Sequence, residues 1–177
     1  TFIDRNNMWP PPRSASDLVQ VGDLIRLKNN DGEWELGQIP DIQGALVSMS
    51  PKNGAIRALV GGYDFRRSQV NRVTTPRPPG SNFKPFLYGA ALESGYSPAS
   101  IINDAPIIRG NYRPNNYENN FLGPITLRYA LKESRNVPAV RLYDELGAAT
   151  VLPFAAKFGF QTQNFPSNDL TIALGSR

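Results

Sequence analysis

The sequence predicts an α+β fold. Three observations carry this: two stretches that read as hairpins, the first alternating and the second apolar, fold about turn signals before residue 61, helical periodicity takes over from residue 81, and no internal repeat breaks the order. With 177 residues the chain is long enough for one domain with a real core, or for a small domain plus part of a larger one. Hairpins, then helices, then a short apolar run at the end read as an α+β domain cut off partway.

Residues 1–16 are polar and proline-rich, with Trp9-Pro10-Pro11-Pro12 among them, and read as an extended linker. Residues 17–40 behave as a small β module. Within it, 23–28 alternate, Asn29-Asn30-Asp31-Gly32 is a turn signal and 34–39 alternate again, which predicts one hairpin. Residues 45–49 and 55–60 flank Pro51-Lys52-Asn53-Gly54 and predict a second hairpin, apolar enough for a sheet covered on one face. Residues 61–79, which include Arg66, Arg67, Arg72 and Arg77, lack periodicity and form an ordered or semi-ordered connection. A helix then starts at about Ser81 and stops at Gly95, with Pro85 in its first turn, where no N–H is needed. Phe83, Phe86, Leu87, Ala90 and Ala91 form its buried face, and Ser81, Lys84 and Tyr88 share the other side. Residues 96–123 are rich in Asn and Pro and read as irregular; so long a loop is often functional, a surface excursion being the alternative. Thr126 is expected to cap a helix over 127–132, and Asn136 one over 137–146 that Gly147 closes. A further helix covers 148–158, and a short apolar run lies at 170–174.

Composition narrows the chemistry. The net charge of +4, from 19 Lys and Arg against 15 Asp and Glu, is spread rather than clustered, so no nucleic-acid partner is indicated. There is no Cys and no His. That removes disulfides, thiolate nucleophiles, the Ser-His-Asp triad, the Cys-His dyad and every His- or Cys-based metal site, and leaves Lys, Tyr, Asp or Glu as bases. Gly61-Gly62 has no Gly-Lys-Ser/Thr after it, which excludes a phosphate loop. No cofactor is implied. The sequence shows neither a signal-peptide core nor a membrane span, and its numbering reads as starting inside a longer protein.

Ser81-Asn82-Phe83-Lys84 places a hydroxyl and an amine one helical turn apart at a helix N-terminus, which suits a nucleophile with its own base. Ser-x-x-Lys arises by chance about once in a chain of this length, and Ser81 would serve equally as a helix cap with Lys84 solvated. As a base, Lys84 needs a neutral form that is only about one molecule in 2,500 at pH 7 when its pKa is unperturbed. Burial and the positive end of the helix dipole both act to lower that pKa, and the same helix end would stabilise an oxyanion on an attacked carbonyl. Ser134 and Asn136 sit at a break between two helices. They offer a second hydroxyl for proton relay and an amide able to donate and accept toward a peptide-like substrate, or else a plain pair of helix caps.

Ser81-Asn82-Phe83-Lys84 followed by Ser134-Arg135-Asn136 resembles the first two of three motifs, S-x-x-K and S-x-N, of the penicillin-binding proteins and serine β-lactamases. The context sharpens the resemblance. Gln43-Gly44-Ala45-Leu46-Val47, the stretch from Pro51-Lys52-Asn53-Gly54 through Gly61-Gly62-Tyr63-Asp64-Phe65, and Pro79-Gly80-Ser81 closely resemble class A penicillin-binding proteins, the bifunctional murein glycosyltransferase/transpeptidases. The likeness runs over about residues 22–176. It implies that residues 1–43 are a linker and the end of an inserted OB-like β domain, with Leu36-Gly37-Gln38-Ile39-Pro40 as its exit strand. Residues 44–177 would then be the N-terminal part of a transpeptidase domain, incomplete at its C-terminus.

The resemblance further implies D,D-transpeptidation of peptidoglycan through an acyl-enzyme. Ser81 would be the nucleophile, Lys84 its base, Ser134 the proton relay to the leaving D-alanine and Asn136 the group holding the stem peptide. Expected partners are peptidoglycan stem peptides, β-lactam antibiotics that mimic the D-Ala-D-Ala terminus, and a remaining segment of the same protein carrying the third motif, K-[ST]-G, which this sequence lacks. The glycosyltransferase domain and an anchor to the inner membrane would lie upstream, with these residues in the bacterial periplasm. Two other readings compete. One is a β-lactamase or β-lactam sensor, against which the linker and β module before Gly44 argue. The other is a non-catalytic scaffold piece in which residues 17–40 bind a partner.

Overall fold

The computed structural model describes residues 13–40 and 42–176, in two compact units divided between Thr75 and Pro76. The linker reading of residues 1–12 lies outside the described residues. At its end the structure departs from a linker, because Ala15–Asp17 form a 3-10 turn. The Asp17 carboxylate holds that turn by accepting from the Arg13 and Ser14 backbone N–H groups at 2.8 and 3.0 Å.

The first unit contains two antiparallel hairpins. Strands β1 (Arg26–Asn30) and β2 (Glu33–Gly37) pair from Arg26 opposite Gly37 to Asn30 opposite Glu33. The expected four-residue turn is therefore shorter. Asp31 and Gly32 alone make it, both in the left-handed region at φ 51° and 96°, because a two-residue hairpin turn needs both central residues there. Asn29 Oδ1 braces it by accepting from the Gly32 N–H at 3.0 Å. Strands β3 (Leu46–Met49) and β4 (Ile56–Val60) form the second predicted hairpin, with a bulge between Ser48 and Met49. The expectation of a sheet covered on one face is not met among the described residues: every residue of β3 and β4 is exposed, since two strands alone have nothing in their unit stacked on them.

The second unit holds the helices. A 3-10 turn (Gly80–Phe83) runs directly into α1 (Lys84–Glu93), with Pro85 in the first helical turn as expected. Residues 96–123 are not wholly irregular. They contain β5 (Ile101–Asp104), which pairs antiparallel with β6 (Gly123–Thr126). Thr126 caps α2 (Leu127–Lys132), its side chain accepting from the Tyr129 N–H. Helix α3 (Asn136–Leu146) follows, and Gly147, at φ 77°, both closes it and opens α4 (Ala148–Ala156). The apolar run at the end is a 3-10 turn, Leu170–Leu174.

Helix α3 is the pivot of this unit. Val137, Ala139, Val140, Leu142 and Tyr143 are fully buried, and the helix packs on α1, α4, β5 and the Leu170–Leu174 turn. Around the start of α1 an aromatic cluster closes the core, with Phe160 edge-on to Phe83 and Phe86 at centroid distances of 5.4 and 4.8 Å. The starts of α1 and α3 are thus fixed against the same core, which brings their first residues together.

Candidate active site

Lys84 is the first residue of α1, and its side chain is 1% exposed. A buried ammonium needs acceptors on every proton. Here Nζ donates to the Ser134 carbonyl at 2.5 Å, to Ser134 Oγ at 3.1 Å and to Asn136 Oδ1 at 2.8 Å. Burial pushes its pKa down to about 8, with Glu118 pulling the other way. Three of the four residues picked from the sequence therefore meet at one nitrogen.

Ser81 lies on the 3-10 turn one turn ahead of Lys84, exposed, and its side chain makes no hydrogen bond to another described residue. The backbone of that turn is held from outside. The Gly80 N–H donates to the Gly175 carbonyl at 3.0 Å. Both glycines sit at positive φ, 58° and 67°, and a Cβ on Gly175 would overlap the Gly80 backbone. Tyr88, placed by spacing on the same side as Ser81 and Lys84, is buried instead; burial raises its pKa, and its hydroxyl has no hydrogen-bond partner among the described residues.

Ser134 occupies the left-handed region at φ 51°, uncommon for a residue with a Cβ. That conformation turns the chain sharply out of α2 and aims the Ser134 carbonyl and hydroxyl at Lys84. Asn136 is not the helix cap the sequence suggested. It is the first helical residue of α3, Arg135 holds the cap position, and the Asn136 side chain points into the site, with Nδ2 donating to the Asn115 carbonyl at 3.2 Å. The cap is supplied by Asn116, whose Oδ1 accepts from the N–H groups of Asn136 and Val137 at 2.9 and 3.1 Å.

Behind the site lies a polar network that sequence reasoning missed. Arg135, 4% exposed, reaches the fully buried Asp104 on β5 through Nε at 2.8 Å and through a second guanidinium nitrogen at 2.6 Å, and it also pairs with Glu118 at 3.0 Å. The signals present in the sequence were the Asn-rich loop around Asn115-Asn116 and the charged residue between Ser134 and Asn136.

An α+β unit with a buried lysine, a serine and an asparagine joined across two helix starts, and a free serine one turn before the lysine, has the layout of a serine acyl-transfer domain. The chain belongs to the penicillin binding protein transpeptidase domain family, whose model matches residues 44–171, and the model of the penicillin-binding protein OB-like domain matches residues 1–42. More particularly, it is similar to penicillin-binding protein 1A of Pseudomonas aeruginosa, at 46% identity over 99% of this chain and 22% of that protein. Among solved structures, penicillin-binding protein 1A from Haemophilus influenzae superposes with a TM-score of 0.79 at 38% identity, over 89% of this chain and 24% of that one. The PonA1 protein from Mycobacterium tuberculosis in complex with penicillin V matches with a TM-score of 0.66 at 27% identity, over 76% of this chain and 40% of that one. The chain spans about a fifth of the length of the curated relatives it matches.

Proposed function

We infer that the protein carrying this chain is a peptidoglycan D,D-transpeptidase acting through an acyl-enzyme on Ser81. The observation that carries this is the Lys84 nitrogen, buried, depressed in pKa and bonded to both Ser134 and Asn136. Ser81 Oγ attacks the carbonyl of the penultimate D-alanine, and the C–N bond to the terminal D-alanine breaks. Lys84 takes the hydroxyl proton and hands it to Ser134, which passes it to the leaving amine. An amine of a second stem peptide then attacks the ester and frees Ser81. Asn136, with its amide oriented by Lys84 and Asn115, holds the stem-peptide backbone. A β-lactam opens on the same serine and stays as an ester.

The family assignment supports the substrate class, and the penicillin V complex of the mycobacterial relative supports the inhibitor class. We assign residues 1–43 to a linker and the end of the OB-like domain, and 44–177 to the transpeptidase domain. A further segment carrying K-[ST]-G would complete the site. The protein works in the bacterial periplasm, held to the inner membrane by a segment other than these residues, of whose described helices none is long and apolar enough to cross a membrane.

Peptide mapping after benzylpenicillin treatment of the protein carrying this chain tests the reading. The expected result is one adduct, on Ser81, lost in Ser81→Ala. An adduct elsewhere, undiminished labelling of Ser81→Ala, or rapid turnover of a chromogenic β-lactam without a stable adduct overturns it.

A further inference from the structure

We propose that Asn116 is a positioning residue for this reaction: its side-chain amide sets where helix α3 begins and thereby where Asn136 and Ser134 stand relative to Lys84. The inference rests on Ser81 being the acylated nucleophile.

Helix α3 starts on Asn136 itself, so any shift of the first turn carries the Asn136 side chain with it. A helix N-terminus leaves several N–H groups unpaired. The adjacent residues do not supply the cap: Arg135 is committed to Asp104 and Glu118, and Asn136 to Lys84 and Asn115. Asn116, 3% exposed, fills the gap from 20 residues away along the chain, Oδ1 accepting from two successive N–H groups. Its own orientation is locked because Nδ2 donates to Asp104 Oδ1 at 2.7 Å and to the Asn120 carbonyl at 2.9 Å. A flipped amide would set its oxygen against a carboxylate and a carbonyl, and its NH2 against two N–H groups. All four hydrogen-bonding capacities of the amide are used.

The neighbours make this more than a cap. Asp104 Oδ2 anchors Arg135, the residue between Ser134 and Asn136, while Oδ1 anchors Asn116. One buried carboxylate thus braces both sides of the S-x-N turn, whose Ser134 stands at φ 51° and needs such bracing. The preceding residue, Asn115, orients the Asn136 amide through its carbonyl. A single segment fixes both the backbone and the side chain of Asn136.

The test uses the second-order rate constant for acylation by a fluorescent penicillin, in the protein carrying this chain, normalised by active-site titration so that unfolded molecules do not count. Asn116→Asp keeps the acceptors for the helix but sets a second carboxylate against Asp104. It should slow acylation about ten- to a hundredfold, the scale on which small misplacements of a site act. Adding Asp104→Asn to it exchanges the two groups at constant charge, restores a donor between them, and should recover most of the rate. In an Asn136→Ala background Asn116→Asp should lose less than in the wild type, because one of the two residues it positions is gone while Ser134 remains. A merely structural role predicts less titratable protein at an unchanged rate constant, and that result overturns the proposal. Should Asn116→Asp give no titratable protein, Asn116→Ser takes its place and an unchanged rate constant again overturns it. A wild-type protein with no adduct on Ser81 would instead sink the transpeptidase reading, and this inference with it, whereas a wild type that acylates normally beside a variant that does so equally fast sinks this inference alone.

Discussion

Lys84 can satisfy its partners in either protonation state, and this suits it to proton transfer. As an ammonium it donates to the Ser134 carbonyl, Ser134 Oγ and Asn136 Oδ1. As an amine it keeps two of those bonds and gains a lone pair able to receive a proton. With burial holding the pKa at about 8, roughly one molecule in ten is neutral at pH 7, against about one in 2,500 at the ordinary value. Acylation by a fluorescent penicillin, followed by stopped flow, should therefore rise with pH about a midpoint near 8. Lys84→Arg should abolish it at every pH, since a guanidinium does not give up its proton; a variant that acylates at near wild-type rate would make Lys84 an electrostatic group only. The same depressed pKa acts on folding. Between about 8 and 10.5 the unfolded chain binds a proton that the folded chain does not, so stability from this group is full above that window and lost as pH falls through 8. Urea midpoints of wild type should rise across the window more than those of Lys84→Met.

Among the elements, α3 matters most because it carries core residues and also Asn136 of the candidate site. Leu142 is fully buried on it, six residues after Asn136. Leu142→Ala should cost about 2–5 kcal/mol by urea denaturation, the range for opening a cavity in a packed core. Thr126→Ala, which removes only the cap of α2, should cost about 1 kcal/mol. Equal losses would mean that α3 is not the pivot. Much of this level was legible beforehand. Thr126, Gly147, Pro85 and the Asp31-Gly32 turn act locally, so their signals survive in a single sequence. Strands β5 and β6 were not legible, because four-residue strands with Pro124 in one of them leave no alternation to detect, and their pairing spans an Asn- and Pro-rich segment. Ser81, Lys84, Ser134 and Asn136 stood out by motif. Asn116 and Asp104 did not, because what they do arises only when a loop, a strand and a helix start converge. The cap alternative for Asn136 fails for the same reason: the true cap comes from a residue distant in sequence.

Over the whole molecule, burial is distributed unevenly. Every fully buried apolar residue among those described lies at Phe83 or beyond, in the second unit, while the first unit has none. The hairpins β1–β2 and β3–β4 are held by their ladders and turns, and a two-stranded hairpin without an apolar face packed on something is marginal in water. Stability should therefore be graded along the chain. Opening a hairpin sacrifices cross-strand bonds between exposed residues, whereas opening α3 exposes Val137, Val140, Leu142 and Tyr143 together and strips the cap and the anchor from the S-x-N turn. Native-state hydrogen exchange of the 177-residue polypeptide, read by mass spectrometry of peptic fragments, checks this. Amides of β1–β4 should exchange through local opening, orders of magnitude faster than those in the middle of α3. The latter should exchange only on global unfolding, with protection that rises and falls with the urea-derived stability. Hairpin amides as slow as those of α3 would show that the first unit is stabilised by contacts beyond its own ladders. Fast exchange throughout α3 would show that the buried lysine and the Asp104–Arg135 network cost more than the core around them returns.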